Sequence, residues 1–232
     1  MTIQQKLSPD EQTNLDRSLI SAARDGHTET VKTLLTAGAN LHDSDDGALR
    51  VAAFNGHTET VRVLLAAGAD AHALNDWALS AASGFGHTET VSALLGAGAD
   101  VHASDDLAVR RAARDGHAET VRALLEAGAD VRIWDDEALR MSAYLGHTET
   151  VRILAEYVFA PDPWRGKSRA EIEAEATALY NKINKSLFPI KPERLHEAAS
   201  ILADRAIDCW HQVRPAPPKL TISPLPAQPK AL

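Results

Sequence analysis

The chain has 232 residues, 44% of them hydrophobic, and carries 24 Lys and Arg against 32 Asp and Glu for a net charge of −8. So much apolar content supports a core, but aromatics make up only 5% and Ala, Leu and Val dominate, which excludes a β-sandwich or barrel in favour of stacked helices. The negative charge argues against nucleic acid as a partner, the single cysteine, Cys209, allows no intrachain disulfide, and no run approaches the ~18 apolar residues of a membrane helix.

The first predicted element is helical. Ser8-Pro9-Asp10-Glu11 combines a Ser cap, Pro at the first helical position and Glu three residues after the cap. It predicts a capping segment over residues 1–15. The start lacks the apolar run of a secretory signal, so the expected location is cytoplasmic.

From residue 16 the sequence repeats itself. Gly-His-Thr-Glu-Thr-Val occurs at Gly26, Gly56, Gly86 and Gly146, and as Gly-His-Ala-Glu-Thr-Val at Gly116, always 30 residues apart. Leu-Leu-x-x-Gly-Ala-Asp or Asn follows at Leu34, Leu64, Leu94 and Leu124, and the fifth copy decays to Leu154-Ala155-Glu156-Tyr157. Five units are expected, over 16–45, 46–75, 76–105, 106–135 and 136–160. Each reads as two helices. An Asp at 16, 46, 76, 106 and 136 precedes a short apolar segment and is expected to cap it. Glu29, Glu59, Glu89, Glu119 and Glu149 open a second helix, whose dipole favours a negative charge there. Val61, Leu64 and Leu65 make an apolar stripe, and Gly68, like Gly38, Gly98 and Gly128, is expected to end the helix in the left-handed conformation. A 30-residue pair cannot bury its apolar face alone, so a curved solenoid follows, with the short first helices on the concave side.

The Gly-His and Leu-Leu-x-x-Gly-Ala-Asp portions of these units resemble the ankyrin repeat, over roughly residues 16 to 160. The family's Thr-Pro-Leu-His-x-Ala segment is replaced by forms such as Gly47-Ala-Leu-Arg50, and the period falls short of the usual ~33 residues. The missing residues lie where the family carries a projecting β-hairpin, so a shortened turn is expected. The resemblance implies an all-α, ankyrin-like helix-turn-helix solenoid that binds a partner protein on its concave face.

Beyond the array, Pro161 and Pro163 break the chain. Ser168-Arg-Ala-Glu171 then opens a helix striped by Ile172, Ala176, Leu179, Ile183 and Leu187, and Leu195, Ala198, Leu202, Ala206 and Cys209 trace another. This pair, over 161–213, is either a cap on the last unit or a docking and self-association element, to which Tyr180, Phe188 and Trp210 would add aromatic surface. From residue 214 onward, six prolines in 19 residues predict a disordered tail.

Chemistry is hard to find. His27, His57, His87, His117 and His147 read as turn residues satisfying backbone groups, and His42, His72 and His102 would be about one repeat apart, ~10 Å, too sparse for a metal. Cys209 and His196 fall on nearly opposite sides of one helix. No catalytic residue, metal site or cofactor is expected. What varies against the fixed scaffold is five columns on or beside the first helix, and the residues there best suited to dominate a contact are Phe54, Trp77, Phe85, Arg110, Arg111, Arg114 and Tyr144. Arg50, Arg110 and Arg140 share a column and would meet either a ligand or neighbouring Asp residues, and Trp134 is a further candidate. Residues 1–160 hold 13 basic and 24 acidic side chains, suggesting a partner with a basic surface. The expected role is adaptor, inhibitor or sequestering factor. Near-identity of the units suggests recent duplication, and the resemblance suggests a bacterial or viral factor acting on host machinery. The alternative is an oligomeric scaffold assembled through residues 168–213.

Overall fold

A computed structural model of the chain describes residues 8–160, 167–184 and 192–213. The side chains of Trp134 and Trp210 lie outside the described set, as do Phe188 and the expected proline-rich tail. Among the described residues every element is a helix. Five pairs follow one another: α1 (Pro9–Arg24) with α2 (Thr28–Thr36), α3 (Asp43–Phe54) with α4 (Thr58–Ala66), α5 (Ala73–Gly84) with α6 (Thr88–Gly96), α7 (Ala103–Asp115) with α8 (Ala118–Glu126), and α9 (Ile133–Leu145) with α10 (Thr148–Val158). Two further helices, α11 (Arg169–Asn184) and α12 (Pro192–Val213), close the chain. The start signals at Ser8 open no separate helix: Ser8 caps α1 itself, which runs on through the inner helix of the first unit. The odd-numbered helices α1 to α9 pack on one another more closely than α2 to α10 do, which curves the row with the former on the concave side.

In the first four units both helices end in the same hydrogen-bonded motif. In α4 the Ala69 amide reaches the Leu64 carbonyl and the Gly68 amide the Leu65 carbonyl, and in α3 His57 and Gly56 do likewise to Ala52 and Ala53. Each requires a left-handed residue, and Gly68 (φ 100°) and Gly56 (φ 72°) supply it. Leu19, Leu49, Leu79, Leu94, Leu124 and Leu139 are among the fully buried side chains that hold the units together.

The repeated Asp does something other than cap its own helix. Asp16 sits inside α1, and Asp46, Asp76 and Asp106 are themselves left-handed, each the last of three such residues in a row, as in Ser44-Asp45-Asp46. Their buried carboxylates accept the backbone amide 24 residues on: Asn40 to Asp16 at 2.6 Å, Asp70 to Asp46 at 2.9 Å, Asp100 to Asp76 at 2.7 Å and Asp130 to Asp106 at 2.9 Å. The inter-unit turn is thus tied to the unit before it. His42, His72 and His102 donate from Nδ1 to the Asp four residues later at 3.1 Å, a second donor to the buried carboxylate. This tight left-handed turn is the shortened turn expected from the 30-residue period. Asp and Asn adopt such a conformation more readily than most residues, which is one reason the sequence places them there.

Polar ladders run between units. His57, His87, His117 and His147 donate from Nε2 to the carbonyls of Arg24, Phe54, Gly84 and Arg114, at 2.9 to 3.1 Å. Each ring lies flat over the preceding Gly of the turn, so that a Cβ at Gly56 would stand 2.5 Å from His87 Nδ1. Hydroxyls pair as Thr28 with Thr60, Thr58 with Thr90 and Thr88 with Thr120, at 2.7 to 2.8 Å.

The last two helices imitate the next unit. Arg194 at the start of α12 lies over Gly146 and donates to the Tyr144 carbonyl at 2.8 Å, the place and the bond that a His takes in every other junction. Lys182 of α11 reaches the buried Asp136 at 2.5 Å, since the amide 24 residues on, that of Ala160, bonds the Tyr157 carbonyl instead, and Arg132 pairs with Glu175 at 2.7 Å. Arg205 and Glu156 join α12 to α10. Beneath these contacts Ile172, Leu179, Ile183, Ile201 and Leu202 continue the core of the array.

Candidate partner-binding face

The variable columns fall along the concave side, where α3, α5, α7 and α9 present the residues singled out from the sequence. Phe54 ends α3 and Phe85 is the C-cap residue of α5, and both are exposed, at 40% and 53%. Their rings meet edge to face with centroids 4.5 Å apart. Trp77, half-buried in the first turn of α5, stacks on Phe54 at 6.2 Å with the planes 12° apart. His87 stacks on Phe85 at 6.2 Å, and the same ring holds the Phe54 carbonyl. The cluster is therefore fixed by the turn machinery beneath it rather than loosely displayed. His87 is the member that residue pattern assigned to the turn alone.

The arginines divide by role. Arg50 lies over the Trp77 ring, 5.5 Å from its centroid, and donates to the carbonyls of Asp45 and Ser44 at 3.0 and 2.8 Å. It braces the left-handed turn of its own unit, and Arg110 reaches the equivalent Asp105 carbonyl at 3.4 Å while pairing with Glu137. Arg140 occupies the same column and is half-buried and engaged. Arg114 grips Asp115 with two bonds of 2.9 Å, which hold the Asp115 carboxyl below its usual range and raise the guanidinium. Arg111 is half-buried and makes no hydrogen bond or ion pair among the described residues. Its stem crosses Gly84, where an added Cβ would be 3.5 Å from Arg111 Cβ and 3.6 Å from Cδ. Tyr144 is half-buried at the far end of the face, next to the cap, and the side chain of Trp134 falls outside the described residues.

Elsewhere the described residues offer no group of three or more His, Cys, Asp or Glu side chains able to hold a metal, and no helix long and apolar enough to cross a membrane. Cys209 is buried, which pushes its thiol pKa up and away from nucleophilic use.

A family model described as ankyrin repeats (3 copies) matches residues 4–75, 19–105 and 78–167. A search of curated proteins finds no match to the chain.

Proposed function

Because the chain belongs to the ankyrin-repeat family, whose repeats are protein-interaction modules, we propose that it binds a partner protein on the concave face as an adaptor, inhibitor or sequestering factor, without catalysis. The observation that carries this reading is the aromatic cluster of the exposed Phe54 and Phe85 with the half-buried Trp77, held in one arrangement on a face whose other columns also vary from unit to unit. Arg110, Arg111, Arg114, Arg140 and Tyr144 extend it. Arg50 contributes mainly by holding Trp77. A cytoplasmic location agrees with the single buried thiol. A bacterial or viral origin, with host machinery as the target, is carried by the resemblance to ankyrin-repeat proteins alone. A basic partner surface is the reading that the overall charge of the array favours.

The test is paired affinity purification with the native chain and the triple variant Phe54→Ala, Trp77→Ala, Tyr144→Ala. A protein retained by the former should be lost from the latter, with a cost of about 2 kcal/mol or more in binding and little change in fold. Equal retention by a folded triple variant would remove this face as the binding surface.

A specific feature favours a second reading, self-association through residues 168–213. Between α11 and α12 runs an apolar groove lined by residues of those two helices, among them Ala176, Tyr180, Leu202, Ala206 and Ile207, the last 43% exposed. Light scattering on the full chain decides it: a monomer at every concentration sinks the scaffold role.

A further inference from the structure

Among the described residues four large apolar side chains are exposed, and three of them, Phe54, Leu74 and Phe85, belong to the second and third units. The fourth, Ile207, stands on the groove between α11 and α12, which has a volume of about 460 Å³ and no residue of α1 to α10 in its walls. No unit follows α11 and α12, and the groove between them is left open. Ala176, Leu202 and Ala206 are buried in it, and Tyr180 is half-buried. An apolar groove with an aromatic wall is a surface that takes extended, proline-rich chain.

The protein supplies such a segment. Residues 214–232, which follow α12 directly and lie outside the described set, contain six prolines with Leu220, Ile222 and Leu225 among them. Proline fixes φ and so presets an extended form, which lowers the ordering cost of docking. Charge points the same way. The segment carries Arg214, Lys219 and Lys230 and no acid, whereas α11 has Glu171, Glu173 and Glu175 against Arg169 and Lys182, and α12 has Glu193, Glu197, Asp204 and Asp208 against Arg194 and Arg205. Lys182, Arg194 and Arg205 are engaged with the array. Glu173, on the groove wall, pairs with Arg169 at 2.5 Å, so the attraction is that of the acidic helix pair as a whole rather than of one bond.

We propose that residues 220–226 of the chain's own C-terminal segment fold back into this groove, Leu220 against Ile207 and Pro224-Leu225-Pro226 against Tyr180. The lengths agree. Ile207 precedes the end of α12 by about 9 Å, and residues 214–219 reach about 19 Å when extended, enough for the reversal. From Ile207 to Ala199 the groove runs about 12 Å along α12, and residues 220–225 cover about 16 Å. The short link between α11 and α12 makes them antiparallel neighbours, which puts Tyr180 toward the Ala199 end. So short a tether gives an effective concentration on the order of millimolar, and a contact too weak to hold a separate peptide suffices. A second copy is the weaker occupant. Ile207 is the one large apolar side chain exposed on α11 and α12 among the described residues, against the roughly 800 Å² that a standard interface buries on each partner. The groove shares no residue with the concave aromatic cluster, so neither site depends on the other, and a docked segment closes it to the self-association described above.

The test is NMR on the full-length chain with a nitroxide at Ser223→Cys, the buried Cys209 being shielded from the label. Docking should quench the resonances of Thr177 and Ala203 on the groove wall and spare those of Ala178 and Ser200, their exposed neighbours on other faces of the same helices. Ile207→Asp, at an exposed position, and the pair Leu220→Ser, Leu225→Ser should each restore most of the lost intensity with the circular dichroism spectrum unchanged. Equal quenching of both groups, or no response to either variant, would overturn the proposal and leave the segment tethered but undocked. Equally strong quenching in a mixture of isotope-labelled chain and nitroxide-bearing chain would place the segment in the groove of another copy and overturn the intrachain contact. Concentration-dependent shifts at Ile207 without quenching would give the groove to a second copy.

Discussion

A methyl group added at Gly56 and one added at Gly68 meet different surroundings, although both glycines are left-handed. At Gly68 no atom lies within 4 Å of the new carbon, so only backbone strain opposes it, and Gly68→Ala is expected to cost about 1 kcal/mol in urea unfolding. At Gly56 the methyl would strike the His87 ring, which must then release the Phe54 carbonyl, and Gly56→Ala is expected to cost roughly twice as much or more. The Thr ladder makes a converse prediction. Thr150 is buried with its hydroxyl unpaired among the described residues, because the residue 32 positions earlier, where the other units have Thr, is Ala118. Ala118→Thr should therefore stabilise the fold by about 1 kcal/mol, read as a raised urea midpoint with an unchanged slope. Asp115 gives a pH signature. Its bonds to Arg114 depress its pKa in the folded chain, so the contribution is present above the ordinary carboxylate range and is lost as pH falls through the depressed value. Arg114→Ala should return Asp115 to an ordinary titration, followed by carboxyl-carbon NMR.

The cap helices matter as elements because they reproduce the repeat's polar contacts with different chemistry. Asp136 is 2% exposed and meets the Lys182 ammonium in place of the backbone amide that serves Asp46, Asp76 and Asp106. Its Oδ1 stays unpaired among the described residues. Lys182→Met should leave a buried carboxylate without its counter-ion and destabilise the chain by about 2 kcal/mol, less than for a fully enclosed pair because the lysine is partly solvated. Adding Asp136→Asn should recover part of that loss, and the double-mutant cycle reports the coupling. No recovery would mean that α11 is held by its apolar face alone.

For the molecule as a whole, the two ends of the row are finished differently. Ser18 is exposed where Ala48, Ala78, Ala108 and Ala138 are buried, so the first unit presents a polar outer side, whereas the fifth relies on α11 and α12. Removing residues 161–232 would uncover Ile153, Leu154 and Val158 of α10, all buried in the full chain. The 1–160 fragment is expected to melt at lower temperature and to aggregate, measured by calorimetry and light scattering, while the full chain does not. A fragment as stable as the whole would show that the pair is no cap.

The 30-residue period, the two helices in each unit and the glycines that end them were legible in the sequence, since each depends on local spacing and on backbone conformations that few residues tolerate. The partners of the repeated Asp and His were not, because they lie in the neighbouring unit or across a left-handed turn that no pattern of apolar residues announces. Phe54, Trp77 and Phe85 stood out as variable positions, but their contact with one another arises only when adjacent inner helices lie side by side. Likewise, nothing in Arg194 or Lys182 marks them as stand-ins for a His and an amide. Sequence fixes what each unit can form by itself; which side chains meet between units is decided by how closely the units stack, because hydrogen bonds and ring contacts fall off within a few ångströms.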